Sequence, residues 1–184
     1  MRRTCFSRRW VFATLCSVST TVALADPIPA EQVATVAKAE AMGLALYEAA
    51  KADSPSNDPL LSNARAVITD WCPLSYKSIV VGSGDNANVY FIAQSANQGD
   101  VDFGRHYRVG RDGLTLSTKT CFVQPSPPST AVAMFITNVL SDTPTEFHVY
   151  LSLLRPLPIL VGTRVGVWGV VNGKITFLKT KHGT

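Results

Sequence analysis

Glu146-Phe147-His148-Val149-Tyr150-Leu151-Ser152-Leu153-Leu154 alternates in character, with Phe147, Val149, Leu151 and Leu153 at one parity and Glu146, His148, Tyr150 and Ser152 at the other. Successive side chains of a strand point to opposite faces, so a period of two is the mark of a half-buried strand. These nine residues therefore predict a strand with an apolar inner face and a polar outer one. Just upstream, Val132 to Leu140 is apolar at both parities, which predicts a central strand covered on both sides. Downstream, Pro156-Leu157-Pro158 ends the pattern and Ile159 to Thr163 predicts a short edge strand. Arg164 to Val171 and Lys174 to Leu178 then bracket Asn172-Gly173, the strongest two-residue hairpin signal in the chain.

The same grammar extends back to Tyr76. Ser78 to Val81 and Asn88 to Gln94 flank Gly82-Ser83-Gly84-Asp85-Asn86 as one hairpin. Phe103 to Val109 and Leu114 to Val123 flank Gly110-Arg111-Asp112-Gly113 as another, its Asp-Gly supplying the positive φ of the turn. The Gly-x-Gly of the first hairpin leads into a strand, whereas a phosphate cradle opens a helix, so it is weak evidence for phosphate binding. Before Tyr76 the period changes. Residues 31 to 52 are Ala-rich, and Val33, Val36, Ala37, Leu44 and Tyr47 recur near helical spacing, which predicts one long amphipathic helix. Asp53 to Pro59 stops it, and Leu60 to Trp71 predicts a short helix running into an extended segment.

The sum is an α+β chain in which a long N-terminal helix packs on a curved antiparallel meander of roughly six to eight strands. This order of elements resembles the cystatin-like architecture, where a long helix lies in the concavity of an antiparallel sheet. The resemblance is one of general architecture. It implies no site residues, because folds of that kind host inhibitors, binding modules and enzymes alike.

With 184 residues and 46% hydrophobic side chains, the chain has enough apolar material for one well-buried domain and too little length for two ordinary ones. Arg2, Arg3, Arg8 and Arg9 account for the whole formal excess of +4, and they precede the uncharged run Trp10 to Leu24. That run is too short to span a bilayer comfortably. It ends in Ala23-Leu24-Ala25 before Asp26-Pro27, completing the three-part pattern of a secretory signal cleaved after Ala25. The expected organisation is thus a leader, 1–25, and one domain, 26–184, delivered to the periplasm or secreted by a leader of bacterial form. Ser7-Arg8-Arg9-Trp10-Val11-Phe12 also resembles the twin-arginine export motif, an alternative to the general secretory route. Residues 26–184 balance in charge, which argues against nucleic acid as a partner. Their two cysteines, Cys72 and Cys121, predict one structural disulfide in an oxidising compartment.

Two clusters are candidates for function. On the predicted strand, Glu146, His148 and Tyr150 would share a face, and a carboxylate beside an imidazole is the arrangement general acid–base chemistry uses. A solvated outer strand face explains the same row more simply, since alternate neighbours on a strand are too far apart to hydrogen-bond. The second cluster is the arm Arg105-His106-Tyr107-Arg108-Val109-Gly110-Arg111, suited to an anionic ligand or an acidic protein patch. Alternation splits it, placing Arg105 and Tyr107 opposite His106 and Arg108. A metal site would need a third ligand beside Glu146 and His148, with His106 the nearest candidate, and no metal or cofactor is expected. No nucleophile elbow or Ser-x-x-Lys signature occurs.

These observations favour an exported, non-catalytic binding module, such as an inhibitor or immunity-type protein, with Glu146, His148, Tyr150, Arg105 and Arg108 as binding residues. Its partner is an envelope protein or a small ligand, with self-association open and no membrane anchor after cleavage. Two other classes compete: a small envelope enzyme using a His148/Glu146 acid–base pair, and a structural envelope subunit, hinted at by the two-sided apolar run Val132 to Leu140.

Overall fold

The computed structural model describes residues 26–52, 59–94, 105–121, 131–155 and 157–180. The leader, the loop after the first helix, Phe103, Val123, the Pro125–Ser129 break and His182 lie outside them. Among the described residues no helix is long and apolar enough to cross a membrane.

A long helix α1 (Val33–Lys51) and a short one, α2 (Pro59–Val67), precede the strands β1 (Ser75–Val81), β2 (Asn88–Gln94), β3 (Tyr107–Gly110) and β4 (Gly113–Leu116). These four form an antiparallel meander in the order β1-β2-β3-β4. The chain then runs through β5 (Met134–Thr137), a third helix α3 (Glu146–Leu154), β6 (Ile159–Gly162), β7 (Gly166–Val171) and β8 (Lys174–Thr180). The second sheet has the order β5-β6-β7-β8, with β5 and β6 parallel and the remaining pairs antiparallel. The α+β class stands. In place of one meander, the eight strands among the described residues are divided between two four-stranded sheets.

The strand expected over Glu146 to Leu154 is the helix α3, and this one difference reorganises the topology. Glu146 through Ser152 are all buried, so the helix has no exposed side from which an amphipathic period could arise. Thr145 starts it, in a reciprocal capping arrangement with His148. A helix between β5 and β6 makes a crossover connection, which is what lets two successive strands lie parallel. Two further expectations change with it. β5 is a four-residue edge strand with Phe135 exposed, and Val139, beyond its end, is exposed as well, so Val132 to Leu140 is not a covered central strand. β6 is internal rather than at the edge.

Together, α1 and α3 form a middle layer touching both sheets, and one core cluster runs through all four parts: Leu46 of α1, Phe147 of α3, Tyr90 of the first sheet and Trp168 of the second. The buried seam of α1 is Val36, Ala39, Gly43 and Leu46, whereas the expected Val33 and Leu44 are half exposed. The small residues explain the shift. A Cβ on Gly43 would stand 2.4 Å from the Cβ of Val149 and 2.8 Å from the carbonyl oxygen of Glu146, so the closeness of α1 to α3 requires glycine there. The other face of the first sheet carries a second core, in which α2 contributes Leu61 and Ala64 against Val89, Phe91 and Tyr107.

The outer face of the second sheet has cross-strand rows Phe135–Leu160–Gly169–Thr176 and Thr137–Gly162–Val167–Lys179. The Phe135 ring lies over Gly162 and remains 56% exposed. The Asn172-Gly173 hairpin forms as its sequence predicts, both residues with positive φ.

Candidate functional site

β3 anchors a different layer on each face, and the alternation of its residues decides which. Arg105, just before the strand, and Tyr107 face the layer carrying α2. Arg105 Nη1 donates to Asp70 Oδ2 at 2.6 Å and to the Asp70 carbonyl at 3.1 Å, while Nη2 donates to the carbonyl of Lys119. The Tyr107 hydroxyl donates to the same Asp70 carbonyl at 2.8 Å and accepts the N–H of Cys72 at 3.1 Å. Cys72 is joined to Cys121 by the expected disulfide, with Cα atoms 5.4 Å apart. Trp71, between these anchors, stacks edge-on against Tyr76 and Phe91. Arg105 therefore fastens a segment of the chain.

His106 and Arg108 face the other way, toward α3. The His106 ring packs on Phe147 and its Nδ1 accepts the N–H of Ala93 at 3.1 Å. Arg108 meets Glu146, the first residue of α3, with Nε 3.0 Å from Oε1 and both side chains under a tenth exposed. Its Nη1 donates to Asn88 Oδ1 and Asp112 Oδ1, and its Nη2 to Asp112 Oδ2 and Thr115 Oγ1, all between 2.7 and 3.1 Å. Each terminal N–H of the guanidinium thus has a protein acceptor. Hydrogen bonding from Arg108 holds the Asp112 carboxyl below its ordinary range. Burial, reinforced by the Glu146 carboxylate, pushes the neighbouring Tyr90 phenol up.

The structure thus brings together Glu146 and Arg108, one from each candidate cluster, and separates the row Glu146, His148, Tyr150. On a helix, residues two apart point in different directions. His148 is buried, and its Nδ1 accepts the backbone N–H of Thr145 at 3.1 Å. Tyr150 is buried in the main core, and that burial raises its phenol. Among the described residues, no three His, Cys, Asp or Glu side chains are grouped to hold a metal ion.

Burial lowers the His148 imidazole to about 4, because a charged ring would lose its hydration and find no compensating anion in its helix cap. A histidine neutral in the fold but free to protonate when unfolded destabilises the fold as pH falls. The contribution is fully favourable above the unfolded value near 6.5 and is lost progressively as pH drops toward 4. We expect stability to fall by about 2–3 kcal/mol between pH 7 and pH 4.5 from this group alone. Urea unfolding of wild type and His148→Gln checks it: glutamine keeps the cap without titrating, so its pH profile should be flatter by that amount.

In front of Arg108 opens a cleft of about 320 Å³. Helix α1 contributes Lys38 and Met42, one turn apart on the same side. The β1–β2 connection contributes Asp85, Asn86 and Ala87, and the β3–β4 turn Arg111 and Asp112. Arg108 and Asn88 line the cleft with the hydrogen-bonded network already described. Lys38 is exposed, and its charge also lowers Asp112. Sequence reasoning missed Lys38, Asp85 and Arg111 as a group, because a helix and two separate connections bring them together. The weak Gly82-x-Gly84 signal was the nearest pointer, marking a tight turn at the cleft wall. No family model, curated protein or solved structure matches the chain.

Proposed function

We propose that the protein is an exported, non-catalytic binding module that holds a small polar ligand in the cleft bordered by Lys38, Asp85 and Arg111. One observation carries this reading. The side chains with the chemistry for catalysis are committed to the fold, His148 as a buried helix cap and Glu146 as the buried partner of Arg108, while the cleft keeps charged side chains open to solvent. A neutral buried imidazole capping its own helix is poorly placed to take a proton from a substrate. Concave sites with a few convergent polar groups are where small ligands bind, and this volume lies at the small end of their range. The leader pattern of residues 1–25 supports export, as does the disulfide.

The test is retention of a small molecule from an envelope extract by the purified protein. Ala87→Trp fills the cleft from its wall, so retention should be lost in that variant while its unfolding transition stays close to wild type.

A further inference from the structure

We propose that the open edge of β5 is a self-association surface, on which a second copy of the chain adds its own β5 antiparallel across a two-fold axis at Ile136. No residue of this edge lines the cleft, so the proposal goes beyond the binding reading. β5 pairs with β6 on one side only, in parallel, with the N–H of Met134 donating to the Pro158 carbonyl at 2.9 Å and that of Asn138 to the Gly162 carbonyl at 2.8 Å. The direction of the backbone polar groups alternates along a strand, so the N–H and C=O of Phe135 and of Thr137 point away from β6. Both residues are exposed, and among the described residues no strand lies beyond them. Such a row of unpaired backbone groups is a template for another strand. Antiparallel pairing about Ile136 sets Phe135 opposite the partner subunit's Thr137, and Thr137 opposite the partner subunit's Phe135, each pair exchanging N–H···O=C bonds in both directions.

Sequence and exposure together select a second copy as the occupant. No charged residue occurs between Lys119 and Asp142, so this edge meets its own image without placing like charges together. The other edges carry or adjoin charge: Lys77 on β1, Lys174 and Lys179 on β8, and Arg111 and Asp112 in the turn into β4. β8 is also met by Asp26, through an antiparallel bridge to Phe177. Exposed apolar residues flank β5 at both ends, Val132 before it (87% exposed) and Val139 (66%) and Leu140 after it. Antiparallel self-pairing brings the start of each β5 beside the end of the other. Val132 of one copy then covers Val139 and Leu140 of the other and is covered in return. The preceding stretch of the same chain, Pro125-Ser126-Pro127-Pro128, lacks the N–H groups that a pairing strand supplies. The contact is a few backbone bonds and a narrow apolar strip, so the dimer is weak and concentration-dependent, and it joins two four-stranded sheets into one.

The experiment is sedimentation velocity with amide hydrogen exchange read by NMR, on the full chain expressed with its own leader and purified with the disulfide intact, from low micromolar to millimolar concentration. The mass should rise from one chain toward two, and the amides of Phe135 and Thr137 should gain protection over the same range. Thr137→Pro removes an outward N–H at an edge position that tolerates proline, and should abolish the dimer while the unfolding transition stays close to wild type. Thr137→Lys and Thr137→Glu each bring like charges together across the axis and should weaken the dimer roughly tenfold, while an equimolar mixture of the two should restore it. A monomer throughout, with both amides exchanging freely, overturns the proposal and leaves the edge to a strand from another protein. A monomer with both protected at every concentration overturns it in favour of a segment of the same chain. A dimer that survives all of these substitutions has its contact elsewhere and overturns it as well.

Discussion

Replacing Arg108 by methionine is expected to destabilise the fold by about 3–5 kcal/mol, the largest effect of any single change outside the hydrophobic core. Methionine fills much of the same space, so the loss is electrostatic. Glu146 keeps a carboxylate whose side chain is only 9% exposed, at the start of α3 and against Tyr90, with its nearby cation gone. Taking a charge out of water is costly unless a partner offsets it, and breaking a buried pair from one side leaves that cost uncompensated. The double variant Arg108→Met/Glu146→Gln should recover most of the loss, because no buried charge then remains. Arg164, paired with Asp142 on the surface and 73% exposed, is the internal contrast: its removal should change stability by well under 1 kcal/mol. Chemical denaturation of the three variants checks the set. A loss below about 1 kcal/mol for Arg108→Met would mean that the pair is solvated and does not tie β3 to α3.

Removing the Cys72–Cys121 disulfide by a double serine substitution should cost about 4 kcal/mol, the chain-entropy value for a link across 49 positions. The effect should also be local. The linked segment carries Trp71, and behind it α2, onto the outer face of the first sheet, where Arg105 and Tyr107 are its other fasteners. Hydrogen exchange should therefore accelerate first in α2 and β4, with β7 and β8 of the second sheet retaining their relative protection. Uniform acceleration throughout the chain would show that the link supports the whole fold equally. Unchanged stability would show that Arg105 and Tyr107 hold the segment unaided.

Much of this arrangement is legible in the sequence wherever local rules decide. The Asn172-Gly173 and Asp112-Gly113 turns fix their hairpins, and Ala-rich composition with a Pro/Ser/Asx stop fixes α1. The division of β3 into an Arg105/Tyr107 face and a His106/Arg108 face follows from alternation alone. The failure is concentrated in residues 146 to 154, where aromatic and β-branched residues happened to alternate with polar ones. A helix enclosed on all sides need not segregate its residues, so the period of two carried no information about it. The counter-signal was Thr145 followed by Glu146 in the first turn, a helix start in which His148 fills the place usually held by Glu or Gln. The crossover, the parallel β5–β6 pair and the division into two sheets all follow from these residues being a helix.

The site was less legible for a different reason. Glu146 and Arg108 were both conspicuous in sequence, and their meeting depends on the packing of α3 against β3, which no local pattern encodes. Lys38 reads as one more solvent-facing lysine on a helix until two turns from elsewhere in the chain close the cleft around it.

The most direct test of the binding reading is native mass spectrometry of the protein isolated from its own compartment, wild type beside Ala87→Trp. If the cleft is the site, wild type carries a small adduct of defined mass, lost on denaturation and absent from the variant. An adduct of equal occupancy in Ala87→Trp, or wild type without one even after incubation with an envelope extract, would contradict it.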